Sequence, residues 1–258
     1  MSLQTHTASA RLELIALEGL PLVQPGDDLS RMLLSALYET GLALRAGDVL
    51  VLAQKIVSKA ENRLVELADV QPSPRALELA EETAKDARLV EVILRESRGV
   101  VRTRKDTLIV EHRLGYILAN AGVDASNVGD EGRVLLLPED PDASAQALRT
   151  ALCAASGCDV AVVINDSWGR AWRMGTIGTA LGVAGIPAVA DLRGVPDLFG
   201  RKLRSTEVAV ADELAAAASL LMGQAGEGHP AVLARGFPYS GEGLGSDLVR
   251  PKNLDLFR

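Results

Sequence analysis

The chain has 258 residues, 48% of them hydrophobic but only 3% aromatic, with 27 basic against 34 acidic side chains and a net charge of −7. Its core must therefore be built from Ala, Val and Leu; few aromatics and no basic run argue against nucleic-acid binding by base stacking or phosphate neutralisation, and the apolar runs are too short to span a bilayer. The two cysteines, Cys153 and Cys158, have no histidine at ligand spacing, which argues against a zinc site and for a reduced, cytoplasmic protein.

Residues 1–10 read as a disordered tail and not as a signal peptide, and residues 11–258 as one domain without an internal linker or repeat. Arg11 to Leu17 alternates as a half-buried strand. A loop punctuated by Gly19, Pro21, Pro25 and Gly26 leads to a helix from Leu29 to about Leu42, capped by Asp27 or Asp28. VLVLA, from Val49, is a continuous apolar strand that runs into QKIVSKAENR, where Lys55, Ser58, Lys59 and Glu61 cluster. Ser73 and Pro74 open a charged helical region that continues to about Ser97. Two short strands, VVRTR and TLIVEHR, flank Lys105–Asp106, with His112 expected to face out of a strand edge. A polar loop follows, with Asp124, Ser126 and Asn127, then a strand from Arg133 to Leu137. Asp142 is expected to cap a helix to about Ala155.

The stretch Ala161 to Arg173, AVVINDSWGRAWR, organises the rest. Four apolar residues read as a buried strand whose carboxyl end delivers Asn165, Asp166 and Ser167, with Gly169 turning the chain towards Arg170 and Arg173. A carboxylate beside a hydroxyl suits Mg²⁺ or Mn²⁺. Guanidinium forks suit phosphate or carboxylate. Gly175, Gly178, Gly182 and Gly185 fall at steps of three and four, which reads as a helix with a glycine face for close packing, the alternative being a mobile glycine-rich loop. Pro187 to Ala190 is a short buried segment, Thr206 to Leu221 an alanine-rich helix, and AVLARG a last strand after the glycine loop GQAGEGHP. The tail beyond it is expected to be irregular.

Three polar loops thus follow apolar segments: Gln54, Lys55, Ser58 and Lys59; Asp124, Ser126 and Asn127; Asp166 and Ser167 with Arg170 and Arg173. Lysines that balance phosphate oxygens, and carboxylates that hold divalent ions, are what phosphoryl chemistry needs. Asp124 and Asp166 could share two metals. The lysines also read as solvated charges and the aspartates as turn residues. There is no P-loop, no GxGxxG after a strand and no GxSxG elbow. The histidines, His6, His112 and His229, are scattered away from the acidic loops.

Taken in order, GLPLVQPGDDL, IVSKAENR, AGVDASNVG, LLPEDPDAS, INDSWGRAWR and TEVAVADELAAAASLLMG resemble the coenzyme F(420):L-glutamate ligases, from about Leu12 to Gly236. The resemblance implies an α+β, two-lobed fold of mixed sheet and helices in an intertwined homodimer, here ending without the flavin-reductase-like domain that some relatives carry. It implies a GTP-dependent γ-glutamyl ligase that joins L-glutamate by an amide bond to a lactyl phosphodiester deazaflavin precursor through an acyl phosphate, with further γ-linked glutamates in some members. Two divalent ions, Mg²⁺ or Mn²⁺, and sometimes K⁺, support the reaction.

By the same resemblance, Leu20, Pro21, Leu22 and Val23 form the nucleotide-contacting loop, and Lys59 and Asn127 contact GTP. Gln54 stands where relatives have a small hydroxyl residue that touches GTP. Asp124 and Asp166 are metal ligands and catalytic residues, Ser167 keeps a ligating hydroxyl, and Gln224 stands where some relatives place a glutamate on the second metal, with Glu227 as the alternative. Arg170, with Arg173, would hold the anionic substrate. A metal-dependent phosphotransferase or ligase on another acidic substrate, and a nucleotide-binding module without turnover, are the competing readings.

Overall fold

The structure is a computed structural model that describes residues 11–126, 128 and 132–256; the expected N-terminal tail, residues 1–10, lies outside them. In chain order the elements are β1 (Glu13–Ala16), α1 (Leu29–Glu39), β2 (Val49–Ala53), α2 (Gln54–Ala60), β3 (Leu64–Glu66), α3 (Pro74–Thr83), α4 (Ala87–Arg95), β4 (Ser97–Arg104), β5 (Thr107–His112) and β6 (Ile117–Ala119). They continue with β7 (Arg133–Leu135), α5 (Pro141–Ser156), β8 (Ala161–Arg170), β9 (Arg173–Ala184), β10 (Ala190–Asp191), β11 (Glu207–Val208), α6 (Val210–Met222) and β12 (Ala231–Arg235).

The main sheet has the order β1-β12-β2-β8-β9, with β2 and β8 parallel and every other pair antiparallel. A parallel pair covered on both faces needs strands apolar on both sides, and VLVLA and AVVI supply that. Leu50, Leu52, Val162 and Ile164 face α1, α2 and α5. Val49, Val51, Ala161 and Val163 face α6. The second lobe packs α3 and α4 on the β4-β5-β6 sheet and the β3-β7 ribbon, around Leu79, Ile93, Leu108 and Val134.

Local chemistry sets the helix ends. Asp28, Ser73, Asp86 and Asp140 each accept a backbone N–H from the first turn of the helix that follows, satisfying a donor that has no partner within the helix. Asp140, and not Asp142, therefore caps α5. Asp142 lies in the first turn and accepts instead from Val183 N (3.0 Å) and Gly245 N (2.6 Å). The charged region after Ser73 is two helices, because Ala84 turns left-handed at φ 54° and ends the first. Helix α1 stops at Glu39, short of Leu42. QKIVSKA forms α2 directly after β2, without a loop.

The glycine-rich segment is a strand and not a helix. Arg173–Ala184 pairs antiparallel with β8 along its length, so a spacing that matched a helical face arose by coincidence. The reading of close packing holds in a different form. A Cβ at Gly178 would lie 2.4 Å from the Ala215 carbonyl oxygen of α6, and one at Gly182 would lie 2.1 Å from the Pro141 carbonyl oxygen of α5. A register shift between the pairs Ile164–Gly182 and Asn165–Ala180 turns these two glycines to opposite faces. His112, expected at a strand edge, is fully buried.

Candidate functional site

The site is built on the carboxyl ends of the two parallel strands, where open α/β sheets place ligands. Ala53 lies beside Asn165 in the register, so the residues that follow on α2 and β8 emerge side by side. The loop before β12 closes the same end, since Ala53 N donates to Pro230 O at 2.8 Å.

Lys55, in the first turn of α2, reaches across to the second lobe. Its Nζ lies 2.7 Å from Asp124 Oδ2 and donates to Ser126 Oγ at 2.6 Å. Asp124 is fixed by a two-way backbone bridge with Leu135, at 3.1 and 2.8 Å. Its carboxylate accepts from Ser126 N (2.7 Å) and Ser126 Oγ (2.8 Å). Burial alone would raise the Asp124 pKa, but the Lys55 and Ser126 hydrogen bonds outweigh it and hold the carboxyl below its usual range.

Asp166 has the opposite balance. Burial pushes its carboxyl up to about 6; the Ser167 N–H and the Lys55 charge oppose that rise, and the Asp124 charge adds to it. Asp124, Asp166 and Lys55 therefore share one electrostatic site. Lys59, one helical turn on from Lys55, has its pKa lowered by burial and then by the Lys55 charge. Two ammonium groups close enough to repel each other are suited to a polyanion that relieves the repulsion.

The other expected residues are placed as follows. Gln54 is buried and its Oε1 accepts from Ser58 Oγ at 2.8 Å, so its amide turns into α2. In the loop before α1, Gly26 N donates to Ala60 O at 2.9 Å, which pins the loop to the end of α2. Val23 points into the core and Leu20 packs against it, while Pro21 and Leu22 are exposed. Asn127 lies outside the described residues. Ser167 is half-buried opposite Gly178. Arg170 Nη2 donates to Met174 O at 3.5 Å, and its buried Nη1 has no partner among the described residues. Arg173, Gln224 and Glu227 are exposed, and Glu227 folds back to accept from Ala225 N at 2.8 Å.

Among the described residues no group of three or more His, Cys, Asp or Glu could hold a metal ion. Among the described residues, Asp124 and Asp166 offer carboxylate oxygens at this site, with hydroxyl oxygens from Ser126 and Ser167. That set fits a hard cation that keeps waters and takes its remaining ligands from phosphate, as Mg²⁺ does.

Two features went unread in the sequence. Glu96 Oε2 joins Arg63 Nη2 (3.0 Å), Arg113 Nε (3.1 Å) and the buried His112 Nε2 (3.6 Å). A cavity also opens beside Trp168, two residues beyond Asp166. A tryptophan inside the site strand of an aromatic-poor chain was the available signal for it.

A family model described as F420-0:Gamma-glutamyl ligase matches residues 19–236. Among curated relatives, the coenzyme F420:L-glutamate ligase of Methanothermobacter thermautotrophicus is 50% identical, over 96% of this chain and 99% of its own. Those of Methanopyrus kandleri and Methanocaldococcus jannaschii are 46% and 42% identical, over 96% of this chain and 99% and 97% of theirs.

Proposed function

The chain belongs to the F420-0:gamma-glutamyl ligase family, and on that premise we propose that it forms an amide bond between L-glutamate and the deazaflavin precursor of coenzyme F(420), driven by GTP. The observation that supports this most is the meeting of Lys55, Asp124 and Ser126 with Asp166 at the carboxyl ends of β2 and β8. A carboxylate is a poor acyl donor, so the precursor's carboxylate oxygen first takes the terminal phosphoryl group of GTP, and GDP leaves. The glutamate amine then attacks the acyl carbon, gives up a proton, and displaces phosphate.

Lys55 and Lys59 bind the phosphate chain and offset its charge, and Arg170 and Arg173 hold the anionic end of the acceptor. Pro21 and Leu22 present the exposed edge of the nucleotide loop. Asp124 and Asp166, with Ser167 and Gln224, are the residues that would hold a divalent metal at the site. A bound Mg²⁺ or Mn²⁺ pair neutralises charge that develops on the transferring phosphoryl group. Asp124 stays ionised to low pH through its Lys55 and Ser126 contacts, so it remains an oxygen donor across the working range. The repetition of the step on a γ-carboxyl would add further glutamates.

Mass spectrometry of products from GTP, L-glutamate and the precursor tests the reading. The expected result is one added glutamyl unit per GDP and phosphate released, with activity lost in EDTA and restored by Mn²⁺ or Mg²⁺. Full activity in chelator, or equal activity with ATP, would overturn the metal or nucleotide assignment. Assembly as a homodimer belongs to the same reading and is supported by exposed Trp172, Met174, Leu198 and Phe199. Light scattering should then give about twice the 27.2 kDa of one chain.

A further inference from the structure

The chain holds two Trp, three Tyr and three Phe, and two of these eight rings stand together at one cavity. Tyr116 and Trp168 lie with ring centroids 5.5 Å apart, and both line a cavity of about 250 Å³ where the β5–β6 turn meets the β8–β9 hairpin. Val249 and Ile117 complete its apolar wall, and Asp212 and Thr179 supply polar atoms. Tyr116 is held in place by donating its hydroxyl to Leu181 O at 2.9 Å. The Asp212 carboxylate is held by accepting from Ala180 N at 2.9 Å. These are fixed groups around an apolar space, as small-molecule sites require.

The cavity is joined to the site already described through the strand register. Thr179 in its wall is the cross-strand partner of Asp166, and directly opposed residues have Cβ atoms about 4.5–5.5 Å apart. Trp168 is on the same face of β8 as Asp166, about 7 Å along the strand. The volume decides how much of a substrate can enter. Sites that enclose a drug-sized ligand hold roughly 300–1,000 Å³, so this cavity takes one end of a molecule whose other end reaches Asp166.

We propose that this cavity seats the planar ring system of the acceptor substrate, stacked against Trp168, while its anionic arm runs past Thr179 to Asp166. The assignment rests on the ligase reading for the identity of the ring. Aromatic surface binds a flat heterocycle through stacking and burial together, and Asp212 and Thr179 offer hydrogen bonds to its polar edge. Trp168 is then a specificity-determining residue that sets acceptor affinity without contact to the nucleotide.

The test uses 5-deazariboflavin, which carries a ring of this class and lacks the phospholactyl arm. Its binding is measured by calorimetry on the intact wild-type protein and on Trp168→Leu and Ile117→Trp. Ile117 is 37% exposed, so filling the cavity from that position leaves the core intact if Trp168→Leu fails to fold. We expect wild-type binding and at least tenfold weaker binding in each folded variant. In turnover, the precursor KM should rise by the same factor and the GTP KM should stay within twofold. No binding to the wild type, or equal binding and equal precursor KM in both variants, would overturn the proposal. A wild type that binds 5-deazariboflavin but makes no glutamyl product would refute the ligase reading and leave the cavity assignment standing.

Discussion

Glu96 gathers two arginines and a buried histidine where the second lobe meets the first, and Glu96→Gln removes the charge while keeping the shape. Its side chain is 12% exposed and faces Arg63, Arg113 and His112. Burial alone would raise its pKa; the nearby His112 side chain, the Arg113 hydrogen bond and the two arginine charges reverse this and take it from 4.5 to about 2. A depressed carboxyl contributes stability that is present above its unfolded pKa and lost as pH falls through its folded pKa. At about 1.4 kcal/mol per pH unit, Glu96 ionisation contributes about 3 kcal/mol at pH 7 and roughly half that at pH 3. Glu139, also paired with Arg63 and Arg113, is two-thirds exposed and replaces little of this. Urea unfolding of wild type and Glu96→Gln at pH 7 and pH 3 checks it. The stability gap should narrow at the lower pH. An equal gap at both would refute the claim that the charge, and not the side-chain packing, stabilises this junction.

Three further substitutions probe the site and its scaffold. Asp166→Asn keeps the shape and an oxygen donor but loses the charge, so folding should be near normal while kcat falls at least about a hundredfold, or roughly 2.7 kcal/mol; steady-state kinetics with a matched melting curve reads both. Lys59→Ala should raise the GTP KM about tenfold, near 1.4 kcal/mol, with little change in Tm, and a large Tm loss at unchanged KM would make the residue structural. Gly182→Ala places a methyl 2.1 Å from the Pro141 carbonyl oxygen. Denaturant titration should show about 1–3 kcal/mol lost to overpacking.

The two central strands were legible because burial on both faces leaves an unbroken apolar run, which needs no knowledge of the partner strand. Lys55 and Asp124 could each be picked out as loop chemistry, but their contact could not. The lysine bonds to Ser126 across 71 residues of sequence, and the β3–β7 ribbon with the Asp124–Leu135 bridge helps bring the two loops together. The glycine segment misled because spacing is a local signal, whereas strand pairing with β8 is not. Thr176, Ile177, Thr179 and Val183 in that segment carry the β-branched side chains that favour a strand. His112 is buried through contacts with Glu96 and Tyr116, which the alternation of its own strand does not reveal.

Strand β8 outruns its parallel neighbour. Its pairing with β2 ends at Asn165, and from Asp166 to Arg170 β9 is its one strand partner among the described residues. The root of the hairpin is thus anchored in a five-stranded sheet, while its outer half, with Asp166, Ser167 and Trp168, is a cantilevered two-stranded ribbon. Ribbons of this kind open more easily than the sheets they grow from. Amide protection should therefore fall off along β8 beyond Asn165, while the sheet that anchors the ribbon stays protected.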